Sequence, residues 1–305
     1  MSSPFKVTIL GCGSATPIAL RNPSSQYIEA IGRHILIDCG EGTQMQIKKF
    51  KVPFSKINKI FISHLHGDHY FGLMGLLQTM HLLGRNTALN LFGPKELKEI
   101  IDLQFKHSYT TLRYELNFTA IDTDVKQILF EDDYISIESF PLNHRVPCAG
   151  FIIREKRGLK TIKKEKLAQY RIPVASIQSI KQGEDFVLEN GKTVSNQELT
   201  EPDKKLRSYA YCSDTLYDSK VIESVSNVTA LYHEATFADD MISRAKETHH
   251  TTAKQAGNVA KNANVNQLII GHFSARYPNI DTLLNEAKLE FSNTLAAYDG
   301  LCFDV

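Results

Sequence analysis

Three histidines and one aspartate crowd into one short segment of the chain. Residues 63–69 read SHLHGDH, which places His64, His66, Asp68 and His69 within six consecutive positions. Imidazole and carboxylate are the ligands that zinc and similar divalent ions prefer. His64 and His66 would hold one ion, and Asp68 and His69 a second ion beside it. A polar loop rich in histidine is the alternative, but four ligand-type residues at this density rarely coincide.

The flanking sequence indicates which elements position these residues. Residues 59–62 form the apolar run KIFI, which is typical of a buried strand. Apolar residues at helical spacing then predict a helix from Tyr70 to Leu83. The ligands are therefore predicted at a strand-to-helix turn, where alternate side chains can converge.

Two ions need further ligands from elsewhere in the chain. Each zinc takes about four ligands and a catalytic site keeps a position for water, so two ions sharing a carboxylate need about seven protein groups. His144, Asp214 and His272 each lie just past a predicted strand. Singly, each is as compatible with an ordinary loop residue. As a set at strand ends, they are expected to complete a two-ion site.

Composition and charge restrict the class of protein. The 305 residues are 42% hydrophobic and 23% charged, as expected of a globular protein. With 35 Lys and Arg against 34 Asp and Glu, the net charge is +1, so any phosphate-binding face must be a local patch. Five widely spaced cysteines without a CxxC pair indicate reduced thiols and a cytoplasmic location. No signal peptide or membrane-spanning segment is predicted.

Strands alternate with helices around one basic insertion. The alternation predicts an α/β protein with mixed sheets covered by helices, and a hairpin that turns at Ile31-Gly32. Residues of about 154–207 break this rhythm and contain a predicted hairpin turn at 189–192. This insertion is either a solvated surface excursion or an arm that contacts phosphates. Its candidate phosphate contacts are Lys156, Arg157, Lys160, Lys163 and Lys164.

The ordered set of motifs resembles the ribonuclease Z family of the metallo-β-lactamase superfamily. The matching segments follow the family's order over nearly the whole chain and are 37–43 (IDCGEGT), 63–69, 141–144 (PLNH), 212–215 (CSDT), 233–236 (HEAT), 250–252 (HTT) and 271–277 (GHFSARY). The resemblance implies a four-layer αββα sandwich as a single domain over residues 1–305, with the insertion as a protruding arm that binds tRNA. It also implies a homodimeric zinc-dependent endonuclease that removes the 3′ trailer from precursor tRNA.

Roles for individual residues follow from the same resemblance. It implies two Zn²⁺ per chain, one on His64, His66 and His144, the other on Asp68, His69 and His272, with Asp214 bridging. Asp38 takes a position behind a ligand histidine, which it would fix by a hydrogen bond. An ordinary carboxylate at the end of a strand is the alternative for Asp38.

The predicted ions and the late motifs together supply the groups for hydrolysis. Two divalent ions make water nucleophilic at neutral pH by lowering its pKa, and Asp68 is placed to orient that water as well as to ligate. His250 is the candidate proton donor to the departing ribose oxygen, and Glu234 would keep it charged. The alternative for His250 is a helix-capping residue. Arg276 would either contact a phosphate or support the His272 loop.

Two other functions fit parts of this sequence. A generic hydrolase of small phosphodiesters or thioesters would use the metal ligands but has no need of a basic arm. An inactive RNA-binding relative would use the arm but has no need of a complete ligand set. Both features together favour precursor tRNA as the substrate.

Overall fold

The structure, a computed structural model, describes residues 3–202 and 205–305 and consists of two compact units. The first unit comprises the chain up to residue 155 together with 207–305, and the second comprises 156–206. Arg207 forms a 2.9 Å ion pair with Glu155. The ends of the insertion predicted at about 154–207 therefore belong to the first unit, and the remainder forms a unit of its own.

The first unit is built on two sheets. Its strands are β1 (Phe5–Gly11), β2 (Ser25–Ala30), β3 (Arg33–Ile37), β4 (Lys59–Phe61), β5 (Leu89–Gly93), β6 (Leu116–Ala120), β7 (Gln127–Glu131), β8 (Ile135–Pro141), β9 (Ala149–Glu155), β12 (Ser208–Cys212), β13 (Ala230–Glu234), β14 (Gln267–Gly271), β15 (Thr294–Ala296) and β16 (Cys302–Asp304), while β10 (Phe186–Val187) and β11 (Thr193–Val194) belong to the second unit. The two seven-stranded sheets have the orders β16-β1-β2-β3-β4-β5-β6 and β15-β14-β13-β12-β9-β8-β7.

Helices cover the outer faces of both sheets. They are α1 (Thr43–Lys49), α2 (Gly67–Tyr70), α3 (Leu73–Leu82), α4 (Glu96–His107), α8 (Ser219–Ser224), α9 (Ile242–Thr248), α10 (Ala253–Asn262) and α11 (Asp281–Glu290), with α5 (Lys164–Gln169), α6 (Val174–Gln182) and α7 (Asn196–Leu199) in the second unit. One apolar core packs α1, α3 and α4 on the first sheet, and a larger one joins the two sheets to each other and to α8, α10 and α11. The predicted four-layer αββα sandwich is confirmed.

The hairpin prediction is confirmed, whereas the predicted helix from Tyr70 to Leu83 is wrong in its extent. β2 and β3 pair in antiparallel register around Ile31 and Gly32, whose φ angles of 49° and 77° suit a tight hairpin turn. The helix is divided into α2 and α3 at Gly72. The Gly72 N–H donates to the Cys39 carbonyl at 2.9 Å, and a Cβ at residue 72 would lie 2.1 Å from the Gly40 oxygen. The spacing of apolar residues gives no information on this long-range contact, so the break in the helix could not be predicted from it.

The second unit has a small core of its own. Its buried apolar side chains are Ile162, Ile172, Ile180, Val194 and Leu199. The turn predicted at 189–192 joins β10 to β11, with Gly191 at a φ of 82°. Across both units, no helix in residues 3–202 and 205–305 combines the length and hydropathy of a membrane span.

Candidate metal centre

The structure brings all the predicted metal ligands together at one edge of the sheets. His64 follows β4, His144 follows β8, Asp214 follows β12 and His272 follows β14. β12, β13 and β14 run parallel, so their carboxyl ends reach the same edge. The other predicted ligands lie in the turn after β4 and in α2. The chain's topology thus assembles residues that are more than 200 positions apart.

One group of donors is formed by histidines around a carboxylate oxygen. His66 Nδ1 lies 3.1 Å from His64 Nε2 and 3.2 Å from His144 Nε2. Asp214 Oδ2 lies 3.6 Å from His64 Nε2 and 3.8 Å from His144 Nε2. These four residues can therefore offer their ligand atoms to one ion.

A second group of donors lies on the other side of Asp214. His69 Nε2 lies 3.3 Å from His272 Nε2 and 3.4 Å from Asp68 Oδ2. Asp214 Oδ1 lies 3.4 Å from His69 Nε2 and 3.2 Å from His272 Nε2. Since each oxygen of Asp214 faces a different group, this carboxylate has the geometry of a bridging ligand.

The donor set fits metal ions. In a tetrahedral zinc site with bonds of about 2.0–2.1 Å, neighbouring ligand atoms lie roughly 3.3 Å apart, close to the spacings above. The other ring nitrogens are already engaged: His144 Nδ1 donates to the His249 carbonyl at 2.9 Å, and His272 Nδ1 lies 2.9 Å from Thr236 Oγ1. Each such hydrogen bond leaves a lone pair on Nε2 directed into the cluster. The site therefore suits a divalent cation.

Electrostatics at the cluster favour a cation in the same place. Burial opposes the charged form of His69, but Asp214, Asp68 and Asp38 outweigh it and hold its pKa well above the ordinary value. A metal ion at His69 Nε2 would satisfy this preference in place of the proton. Burial lowers the pKa of His144 to about 4, so that this imidazole is neutral, as a metal ligand must be.

The Asp38 carboxylate lies behind His69, which is one of the predicted ligands. Its Oδ2 accepts hydrogen bonds from His69 Nδ1 at 2.7 Å and from the Tyr211 hydroxyl at 2.7 Å, and its Oδ1 accepts from the Ser63 N–H at 2.8 Å. Asp38 is fully buried and has a φ of 55°, a strained conformation for a non-glycine residue. The carboxylate fixes both the orientation and the tautomer of His69.

Replacing Asp38 by asparagine should lower the affinity for metal by roughly 10- to 100-fold, because His69 loses its carboxylate partner. Metal titration of the stripped protein checks this. Tyr211→Phe is the matched control, since it removes another donor to the same oxygen and leaves the His69 contact in place. Equal metal affinity in Asp38→Asn and the wild type would show that Asp38 does not position the ligand.

Glu234 and His250 form a buried pair beside the cluster. Glu234 is fully buried, and its Oε1 accepts from His250 Nδ1 at 2.9 Å, from the Thr215 N–H at 3.1 Å and from the Thr251 N–H at 3.0 Å. Its Oε2 accepts from the Thr236 hydroxyl at 2.7 Å. Donors surround both oxygens, which favours the ionised carboxylate.

The surroundings of His250 favour its protonated form. Burial opposes its charged form, but Glu234, together with Asp214, outweighs burial and raises the pKa of His250 to about 9. One ring nitrogen of His250 lies within 4.8 Å of ligand atoms of Asp214 and His272. Since Nδ1 is bound to Glu234, Nε2 is the ring nitrogen that can donate a proton to another group.

The cluster opens into a cleft of about 440 Å³. Asp68, Asp214, His250 and Arg145 are among its lining residues. The candidate contact Arg276 is not one of them: its guanidinium lies 5.2 Å from the centre of the Phe237 ring, and its Nε donates to Ser274 Oγ at 3.1 Å. The cleft therefore gives a substrate access to the His250 imidazole and to four of the predicted ligands, which are His66, Asp68, Asp214 and His272.

Basic residues of the insertion lie in the second unit. Lys160 N–H donates to the Lys181 carbonyl at 2.9 Å, and Lys163 Nζ donates to the Glu198 carbonyl at 3.2 Å. Lys164 begins α5 and is exposed, as is Arg157, while Lys156 is half-buried.

Three contributions to the site were not predicted. Thr236 links His272 to Glu234 through its hydroxyl, and the Ala15 N–H donates to Asp68 Oδ2 at 2.7 Å. Arg145 reaches the cleft from the residue after His144. Only Thr236 had a signal in the sequence, since it ends the matched HEAT segment.

Comparison with known proteins yields relatives over the full length of the chain. The sequence named ribonuclease Z from Bacteroides fragilis is 44% identical over 301 residues, 99% of each chain, and that from Phocaeicola vulgatus is 46% identical over 297 residues, 97% of this chain and 96% of the relative. The sequence model of the family described as Anti-Pycsar protein Apyc1 matches residues 5–159.

Solved structures agree with these relatives in fold. Human tRNase Z, short form, superposes with a TM-score of 0.70 at 25% identity, over 98% of each chain. The metallo-beta-lactamase fold protein YhfI from Bacillus subtilis also superposes with a TM-score of 0.70, at 21% identity over the whole of both chains.

Proposed function

The chain belongs to the ribonuclease Z family, and we propose that its metal centre cleaves precursor tRNA to remove the 3′ trailer. It is a metal-dependent endoribonuclease of the metallo-β-lactamase fold. The observation that carries this function is the convergence of the complete ligand set with the Glu234–His250 pair in one open cleft.

Two Zn²⁺ ions per chain are part of this proposal. His64, His66 and His144 would hold one ion and Asp68, His69 and His272 the other, with Asp214 shared. When bound, the ions supply a nucleophile from water and neutralise charge that develops on the phosphate. The spacing of the donor atoms and the two-sided position of Asp214 support this count.

The chain's own residues orient the reacting groups. The Ala15 N–H fixes Asp68 Oδ2, which lies 3.3 Å from His272 Nε2, so Asp68 can orient the attacking water as well as ligate. Glu234 keeps His250 protonated, and His250 donates its proton to the departing ribose oxygen. A ribose alkoxide is a poor leaving group without that proton.

The second unit would bind the body of the tRNA through its cluster of basic side chains, among them Lys156, Arg157 and Lys160. Replacing Lys163 and Lys164 by glutamine should weaken binding of tRNA and lower the salt slope of log K by roughly 0.7–0.9 for each phosphate that these side chains neutralise. Binding titrations over a range of salt concentrations measure this slope. Glutamine at the exposed Lys95 and Lys106 of the first unit is the matched control. Equal salt slopes in the two double variants would place the phosphate contacts elsewhere.

A homodimer and a cytoplasmic location complete the proposal. Met45 on α1 and Leu82 and Leu83 at the end of α3 are 63–75% exposed, and such apolar side chains suit an interface between copies. All five cysteines lie in the described residues and are unpaired, which suits a reducing compartment. Sedimentation equilibrium tests the dimer, and fractionation of cells tests the location.

Hydrolysis of small phosphodiesters is the second candidate function. The match of residues 5–159 to the family described as Anti-Pycsar protein Apyc1 covers the SHLHGDH loop and His144 but only the first four residues of the second unit. A hydrolase of small diesters would share the metal centre and make no use of Lys163 and Lys164. Parallel assays on precursor tRNA and on a nitrophenyl diester separate the two candidates. A strong preference for the small diester, unaffected by the lysine substitutions, would favour the second.

A further inference from the structure

Phe71 has a large apolar side chain that is exposed to solvent at the candidate catalytic cleft. It directly follows α2, is 63% exposed and lines the same cleft as Asp68, Asp214 and His250. Contact between an aromatic ring and water is unfavourable, and burial of the ring would remove that contact. An exposed ring beside reacting groups therefore points to an apolar part of the substrate.

Close packing holds the Phe71 ring over the metal-binding turn. A Cβ at Gly67 would lie 2.3 Å from Phe71 Cε2, so only glycine at this position leaves room for the ring. The Tyr70 ring packs against it at 5.1 Å between centroids and an interplanar angle of 64°. These two neighbours restrict the ring, so its exposed part can bind a substrate with a smaller loss of side-chain entropy.

Arg145 provides a cation in the same cleft. It is exposed and makes no hydrogen bond or salt bridge with the part of the chain that the structure describes. Arg145 directly follows the predicted ligand His144 and lines the same cleft as His66 and Asp214. A guanidinium without a protein partner, beside a site that cleaves phosphodiesters, suits a phosphate oxygen pair.

We propose that Phe71 stacks on the base of a nucleotide next to the scissile phosphate, while Arg145 binds a neighbouring phosphate of the same strand. The inference rests on the proposed function and extends it to a nucleotide subsite. Single-stranded ends expose their bases, and proteins bind such bases by stacking them on aromatic rings. Stacking is tolerant of base identity, as a site that meets many different precursors requires.

A cycle of protein and substrate changes tests the stacking contact. The full-length protein and Phe71→Leu are assayed on an intact precursor tRNA and on two precursors that carry an abasic nucleotide immediately 5′ or 3′ of the cleavage site. Loss of one stacked base lowers kcat/KM by roughly 5- to 150-fold. We expect Phe71→Leu to lose this factor on the intact precursor and Phe71→Tyr to retain activity. On one of the two abasic precursors, kcat/KM of the wild type should fall by a similar factor relative to the intact precursor. The kcat/KM of Phe71→Leu should fall little further on that precursor, because its stacking contact is already lost.

Controls separate stacking from damage to the metal site. Metal content of Phe71→Leu should equal that of the wild type, and Tyr109→Leu, which changes a 96% exposed ring outside the cleft, should cleave normally. Equal losses for Phe71→Leu on intact and on both abasic precursors, or no loss at all, would overturn the proposal. Full activity of the wild type on both abasic precursors would overturn the stacking proposal, whatever the activity of the Phe71 variants. Failure of the proposed function would give a different result from failure of the stacking proposal, because the wild type would then leave the intact precursor uncut.

Arg145→Gln tests the phosphate contact independently. We expect it to raise KM for precursor tRNA and to lower the salt slope of binding by roughly 0.7–0.9. Arg145→Lys should recover part of the affinity, because it restores the charge but not the paired hydrogen bonds. An unchanged salt slope in Arg145→Gln would remove Arg145 from the subsite.

Discussion

Replacing Asp214 by alanine is expected to lose metal from both positions and to reduce endonuclease activity below detection. Asp214 Oδ1 faces His69 and His272, and its Oδ2 faces His64 and His144. One truncation therefore removes a ligand from each ion and also the negative charge between two cations. Metal analysis of the purified protein, combined with the precursor tRNA assay, measures both effects.

A control for Asp214→Ala comes from a ligand that faces one position only. His66→Ala removes a donor from the group of His64 and His144 and leaves the group of His69 and His272 complete. It should therefore lose occupancy at one position. Retention of one ion at full affinity in Asp214→Ala would contradict the bridging role.

Removal of the His250 imidazole is expected to lower turnover of precursor tRNA by roughly 10²–10⁴, the usual contribution of a general acid. Metal content should be unchanged, since both groups of predicted ligands remain. A nitrophenyl diester has a good leaving group and barely needs the proton, so its hydrolysis by His250→Ala should fall much less. Measurement of kcat on both substrates checks this contrast.

His249→Asn is the matched control for His250→Ala. His249 Nδ1 has no hydrogen-bond partner in the described residues, and the His249 carbonyl, which accepts from His144 Nδ1, is retained in the variant. Asparagine also tolerates the φ of 56° at this position. Equal losses of His250→Ala on the two substrates would show damage to the metal centre instead of a missing proton donor.

The pH dependence of turnover follows from the same pair. The pKa of His250 is raised to about 9, so the proton needed by the leaving group is present below that pH and is lost as pH rises through it. Metal ions at the predicted ligands would oppose the charge of His250 and move this limb to lower pH. His250→Ala should lack the alkaline limb on precursor tRNA, and a limb that persists would assign it to another group.

The sequence predicted which side chains converge at the candidate metal centre, because their spacing is local and their context repeats. His64, His66, Asp68 and His69 are adjacent in the chain, and His144, Asp214 and His272 all lie just past strands. The four-layer fold was predicted only through the family resemblance, since alternating strands and helices define two covered sheets but not how they stack.

The sequence could not predict contacts that depend on distant backbone. Gly72 ends α2 because it packs on Gly40, and the Ala15 N–H reaches Asp68 across 53 positions. The 63% exposure of Phe71 could not be predicted either, because its apolar side chain falls within the segment predicted as a helix and does not indicate which side faces the cleft. Each of these features arises only when the loops at the sheet edge meet.

Mapping of the cut in a precursor tRNA at single-nucleotide resolution tests the central claim most directly. The full-length protein, loaded with zinc, is expected to release the trailer by one cleavage at the 3′ end of the mature tRNA sequence and to leave the 5′ leader intact. The same protein stripped of metal should leave the precursor uncut until zinc is restored. Scattered cleavage throughout the RNA, or an uncut precursor under conditions where a small diester is hydrolysed, would contradict the account.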